Sequence, residues 1–216
     1  MTKKYSVQVE KDDAYTSERY LTAQRWSSYA VAIREVMELR PKRILEIGPG
    51  NGVVTGLLRS IGFEVKTLDF DARVKPDYVA DVTDAKALAP LAGKFDLIIA
   101  CEIFEHLEYE DFQKAIALLK PIALRMIVSV PHTTVNSRFF HINFKIPGLP
   151  RVSIARKWNY KKIAHEFNGQ HHWEMGKMGF PISRIKKDFE NAGWKVTKKF
   201  FNPDNPYHYF FICQAF

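Results

Sequence analysis

The stretch Arg43-Ile44-Leu45-Glu46-Ile47-Gly48-Pro49-Gly50-Asn51-Gly52 sets a short apolar strand directly against a glycine-rich turn. Val53 to Ser60 then reads as a helix, stopped by Gly62. A glycine turn between a buried strand and a helix lets a ligand approach the backbone closely. A dinucleotide-binding fingerprint would carry its third glycine at position 53, where this chain has Val53. The loop is instead G-x-G-x-G, with Glu46 before it.

Working outward, strands and helices alternate. Tyr29, Ile33, Val36 and Met37 recur at helical spacing, and that helix ends near Leu39, before Pro41. Residues 1 to about 15 are polar and expected to fray. Strands are expected at Glu64–Leu68, Tyr78–Ala80, Asp96–Ala100 and Leu124–Val130, with helices at about Asp84–Leu91 and Glu108–Leu119. Such alternation implies a parallel sheet covered on both faces. Toward the end, Pro181–Asn191 reads as a helix with proline in its first turn. Trp194–Phe201 and Tyr207–Gln214 read as strands joined by a Pro/Asn turn too short for a helical crossover, so they pair antiparallel. Residues from about 131 to 180 show no clear alternation and are rich in proline, glycine and aromatics. A long irregular stretch of this kind reads as a lid or substrate segment.

The glycine loop and the segments after it, as far as residue 130, resemble class I S-adenosylmethionine (SAM) methyltransferases of the broad type-11/type-12 group. Glu46 and the G-x-G-x-G turn are similar to the family's motif I. Asp69 ends Val65-Lys66-Thr67-Leu68-Asp69, where a carboxylate can accept hydrogen bonds from both ribose hydroxyls. Asp71 is a competitor further past the strand. Asp81, in Val79-Ala80-Asp81-Val82, falls where the family contacts the adenine amino group, and Phe95 to Ala100 resembles the fourth-strand motif. The resemblance implies a Rossmann-like, doubly wound, seven-stranded α/β sheet with a final antiparallel pair. It implies one domain over 1–216, with a helical segment at 1–40 and an insertion at about 131–180. It assigns Glu46, Gly48, Gly50, Gly52, Asp69, Asp81, Val82 and Cys101 to the cofactor. The alternative for the glycines is a tight turn without a ligand.

Glu102-Ile103-Phe104-Glu105-His106 follows the fourth strand, at the end of the sheet where α/β proteins bind ligands. On a helix, Glu102, Glu105 and His106 would share one face and offer two carboxylates and an imidazole to a divalent ion. The E-x-x-E-H pattern resembles O-methyltransferases of ubiquinone biosynthesis and small-RNA 3′-terminal 2′-O-methyltransferases. The second group looks metal-dependent and adds a histidine from a later loop. In His171-His172-Trp173-Glu174, either histidine is a candidate for that ligand. The expected metal set is Glu102, Glu105 and His106 with His171 or His172, holding Mg²⁺ or Mn²⁺. His106, His172 and Glu102 are also the candidate catalytic groups, and His132 is expected on the substrate side. The plainer readings stay open: a helix cap for Glu102, an ordinary buried histidine for His106, and a bracing role for His171 and His172.

Charge narrows the partners without choosing one. The 216 residues carry a formal net charge of +8. Seven basic residues stand against Glu166 alone between 131 and 170, with Phe139, Phe140, Phe144, Trp158, Tyr160 and Phe167 among them. Basic and aromatic residues over 138–162 suit RNA or an anionic membrane surface. They equally suit a lid that packs its aromatics inward. Cys101 and Cys213 form no disulfide or zinc pattern. Without an N-terminal signal run or an apolar stretch of about 20 residues, no transmembrane segment and a cytoplasmic location are expected. The leading function is methyl transfer, most simply to a hydroxyl of a small molecule or glycan. An RNA methyltransferase and a non-catalytic SAM-fold binding module are the alternatives, the last opposed by intact Gly48, Gly50, Gly52 and Asp69.

Overall fold

A computed structural model describes residues 17–148, 152–167 and 169–216. The N-terminal stretch expected to fray and Arg151 of the basic insertion lie outside the described residues. The strands are β1 (Arg43–Ile47), β2 (Glu64–Asp69), β3 (Tyr78–Val79), β4 (Leu97–Cys101), β5 (Arg125–Pro131), β6 (Ser137–Phe144), β7 (Val152–Asn159), β8 (Trp194–Asn202) and β9 (Asn205–Ala215). The α-helices are α1 (Ala23–Leu39), α2 (Val53–Ser60), α3 (Ala85–Leu88), α4 (Tyr109–Leu119) and α5 (Ile182–Asn191).

Seven strands form one sheet in the order β3-β2-β1-β4-β5-β9-β8. The first five are parallel, and β9 runs antiparallel to both β5 and β8. Buried strands must be apolar on both faces, and the two faces feed separate cores. Leu45, Ile47, Ile98 and Val128 pack with Phe112, Ile116 and Trp173, whereas Ile44, Val65, Ile99 and Ile127 pack with Val36, Leu58 and Phe210. The strand order reverses direction between β1 and β4, and ligands bind at such a switch point, off the carboxyl ends of the strands.

Helix α1 starts at the Thr22 cap, whose side chain accepts the Arg25 amide. It is moored to the closing hairpin: Asn202 Nδ2 donates to Ser28 Oγ at 3.1 Å, as does Asn205 Nδ2. Lys198 adds a bridge to Glu35 at 2.7 Å. This docking carries Tyr20, Arg25 and Tyr29 to the edge of the switch point.

Two expectations need correction. The stretch between β5 and α5 is not irregular throughout, because β6 and β7 pair in full antiparallel register from Ser137↔Asn159 to Phe144↔Val152 as a sheet of their own. The turn between β8 and β9 is also tighter than read, since Asn202 pairs with Asn205 and only Pro203 and Asp204 lie between. Among the described residues no helix is long and apolar enough to cross a membrane.

Candidate active site

A cavity of about 260 Å³ opens at the switch point. One side is the glycine loop, where Gly48, Gly50 and Gly52 all have positive φ. Gly48 is the tightest position: at φ +68° it sits under Ile103, and a β-carbon there would collide with Cγ2 of Ile103. The loop closes through the Gly52 amide on the Pro49 carbonyl at 2.8 Å. Gly52 has no side chain to cap α2, and Asn51 Oδ1 takes the Val53 amide instead, at 3.2 Å.

Glu46 lines the cavity but is buried, and it accepts the Thr55 hydroxyl. Burial raises its carboxyl to about 7, against the pull of the Thr55 bond. The folded protein therefore keeps a proton that the unfolded chain releases between about pH 4.5 and 7, so this group's contribution to stability falls as pH rises through that window. Glu46→Gln mimics the protonated form. In the absence of ligand, its melting temperature relative to wild type should be more favourable at about pH 8 than at about pH 5. A difference that does not change with pH would mean Glu46 ionises normally in the fold.

Asp69 ends β2 on the cavity wall, with Oδ1 accepting the Asp71 amide at 2.9 Å. Burial holds its carboxyl above the usual range. Asp71 is engaged by Arg73, with Nη2 at 2.9 Å, and that guanidinium holds its carboxyl low. Asp81 and Val82 line the same end of the cavity. Asp81 Oδ1 accepts both the amide and the hydroxyl of Thr83, at 2.8 and 2.7 Å. Cys101 closes β4, its thiol pushed up to about 12 by burial, so it is a wall and not a nucleophile.

The Glu102–His106 segment is not the helix that its spacing implied. Glu102 has φ +55°, Phe104–His106 is one 3-10 turn, and α4 starts only at Tyr109. Glu102 is thereby turned toward β5 and β9: Ser129 Oγ donates to its Oε1 at 2.8 Å, and His208 Nε2 lies 3.5 Å from its Oε2. Glu105 is almost fully buried, and its Oε2 has no hydrogen-bond partner. Burial raises both carboxyls, and the charge of Glu102 adds to the rise at Glu105.

His106 and His171 meet with ring centroids 5.1 Å apart. Ligand atoms of Glu105, His106 and His171 all lie within 4.8 Å of one another. This corrects the expected set, because neither Glu102 nor His172 belongs to that group. The His172 amide donates to the Glu105 carbonyl at 2.8 Å, and its ring lies against Phe167 at 4.5 Å. Burial lowers His106, takes His171 down to about 4 and takes His208 down to about 3, so all three are neutral near pH 7.

His132 does not line the cavity. It is buried beneath the β6–β7 hairpin, where its carbonyl accepts Lys157 Nζ at 2.8 Å. Arg25, Ser129, Tyr207 and His208 do line it, and sequence reasoning gave none of them a site role. Tyr207 and His208 stand in the aromatic tail Asn205–Phe211, the one signal that could have found them. Arg25 had none, since it precedes every motif.

The family profile described as "Methyltransferase domain" matches residues 19–199. The chain belongs to that family. It is a class I, SAM-dependent methyltransferase fold. A search of curated proteins gives no match. Among solved structures, it is similar to the Burkholderia thailandensis 1,6-didemethyltoxoflavin-N1-methyltransferase with bound 1,6-didemethyltoxoflavin and S-adenosylhomocysteine. That match has 15% identity and a TM-score of 0.59, over 94% of this chain and 84% of that one. The glycopeptide N-methyltransferase MtfA with S-adenosylhomocysteine matches at 11% identity and TM-score 0.57, over 88% and 89%. The methyltransferase domain of bacterial CtHen1-CN matches at 14% identity and TM-score 0.59, over 89% and 100%. At these identities the likeness is one of fold.

Proposed function

We propose that this methyltransferase binds SAM in the switch-point cavity and methylates a hydroxyl of a small molecule or glycan. The carrying observation is the row of neutral histidines and buried carboxyls, His106, His171, His208, Glu102 and Glu105, beyond the glycine loop. An amine with a free lone pair needs little help as a nucleophile. A hydroxyl must shed its proton, which calls for a base near the reacting atoms.

The cradle fits the cofactor. Gly48 at positive φ lets the loop pass under Ile103 with no side chain between, and Asp69 offers a carboxylate for ribose hydroxyls. Asp81 and Val82 would flank the adenine, and Glu46 and Gly50 would sit at the methionyl end. When bound, SAM supplies an electrophilic methyl on a sulfonium, and the neutral thioether left behind needs no acid. The chain's part is to align the acceptor, exclude water and take one proton. His106 is the leading base: its Nδ1 lies 3.0 Å from the Gln170 carbonyl, a contact that places the proton there and leaves Nε2 as acceptor.

A divalent ion is the second reading, favoured by the convergence of Glu105, His106 and His171 and by the unpartnered Glu105 Oε2. Two imidazoles and one carboxylate suit Mn²⁺ better than Mg²⁺. Held there, an ion would lower the pKa of an acceptor hydroxyl. One experiment tests both readings: labelled SAM is presented with matched panels of alcohols, sugars and amines, with and without chelator. Turnover of hydroxyl acceptors is expected; on the ion reading it is lost on chelation, restored by Mn²⁺, and absent in His171→Ala but present in His172→Ala. Turnover of amines alone would reject the hydroxyl reading. Full activity in excess chelator, with no metal by elemental analysis, would reject the ion and leave His106 as the base.

A further inference from the structure

We propose that the β6–β7 hairpin is a docking surface for an anionic lipid bilayer. Its pairing register stacks Phe140 opposite Arg156, Ile142 opposite Ile154, Phe144 opposite Val152, and Arg138 opposite Trp158. Paired residues share a face. Six large apolar side chains, Phe140, Ile142, Phe144, Val152, Ile154 and Trp158, thus form one continuous face, and each is between 38% and 52% exposed. The opposite face is the one turned to the body. Lys157 Nζ donates to the carbonyls of His132 and Pro206 at 2.8 and 2.6 Å, Asn159 Nδ2 donates to Gly176 at 3.0 Å, and Ala155 packs on the main core. The apolar face therefore looks outward, with no layer over it among the described residues. An exposed apolar patch of this extent marks an interaction site.

Charge selects the occupant. Between Asp111 and Glu166 the sequence contains no acidic residue, while Arg138, Lys145, Arg151, Arg156, Lys161 and Lys162 fall within it, besides the inward-facing Lys157. Arg138 and Arg156 stand on the apolar face itself. A second copy docking face to face would bring two equally basic surfaces together. Single-stranded RNA would exploit aromatic planes, yet Ile142, Ile154 and Val152 present none. An anionic bilayer accepts both features at once: apolar side chains enter the acyl boundary, Trp158 sits at headgroup level, and the cations meet phosphates.

Full-length protein should be sedimented with vesicles of phosphatidylglycerol and phosphatidylcholine, and with phosphatidylcholine alone. At least tenfold tighter binding to the anionic vesicles is expected, weakening as salt rises. Ile142→Ser with Phe144→Ser should lower that binding at least tenfold. Arg138→Gln with Arg156→Gln should lower it and flatten its salt dependence. Neither pair touches the cavity, so SAM binding should stay as in wild type, and matched melting curves would show that the variants fold. In the wild type, brominated lipid should quench tryptophan emission, and Trp158→Phe should remove that quenching. Three results would overturn the proposal: no binding to either vesicle, binding unchanged in both variant pairs, or a lipid-independent dimer abolished by the Ile142/Phe144 pair. Tighter binding to a single-stranded RNA than to the anionic vesicles would also overturn it.

Discussion

Asp69→Ala is expected to weaken SAM binding by about 1.5–3 kcal/mol, roughly ten- to 150-fold in Kd. The carboxylate stands at the carboxyl end of β2, on the wall of the cavity, with its Oδ1 accepting the Asp71 amide. Two ribose hydroxyls meeting an alanine would stay unpaired in a site that excludes water. Asp71→Ala is the control. Its carboxylate belongs to Arg73, so its loss should cost far less in cofactor affinity. Calorimetry with SAM and with S-adenosylhomocysteine would read both. Equal affinities for Asp69→Ala and wild type would remove Asp69 from the cofactor site.

The second large effect is on stability. Trp173→Ala should destabilise the fold by about 3–5 kcal/mol, lowering the melting temperature by roughly 6–20 °C. Trp173 is fully buried, with rings of Phe112, Tyr109 and Phe180 at 5.0, 5.3 and 6.1 Å. Its Nε1 donates to the Phe104 carbonyl at 3.2 Å, inside the 3-10 turn that carries Glu105 and His106. The variant leaves a cavity and strips one of two hydrogen bonds from the Phe104 carbonyl, which keeps the Leu107 amide at 3.1 Å. Because the same indole joins the His171–His172 strip to that turn, the two halves of the acid–histidine group should separate in it. A melting shift below about 2 °C would show that the packing around Trp173 relaxes freely.

These two residues mark the range of what was legible. Asp69 was visible through the family resemblance, as the acid that ends the strand after the glycine loop, and chemistry gathers at such strand ends. The central strands could be read from their apolar runs, and the closing β8–β9 pair from a turn too short for a crossover. Trp173 was visible only as a neighbour of the candidate ligands His171 and His172, since nothing local says that a tryptophan is an anchor. The Glu102–His106 spacing misled because it suited a helix, while the backbone at Glu102 turns left-handed before the 3-10 turn begins. The choice between His171 and His172 could not be made from neighbours in sequence. It depends on which side chain the Trp173 anchor turns toward His106. The β6–β7 hairpin does leave a trace, the period-two run Phe140-His141-Ile142-Asn143-Phe144. The flanking Pro147, Gly148 and Pro150 hide it, because they make the whole stretch read as loop.

The way the hairpin is attached has a further meaning. Its two feet touch, with the Tyr160 amide on the Asn136 carbonyl at 3.0 Å and Ser137 beside Asn159. Chain leaves the body and returns to it at one point, so the ends are already closed whatever lies between. Loop-closure entropy grows only slowly with length, so lengthening or trimming this excursion costs little. What a change must keep is the inner face, where Lys157 ties His132 to Pro206 of β9 and Ala155 packs on the core. Among the described residues, the outer face is free of such ties and open to grafting by design, and no hairpin residue lines the cavity.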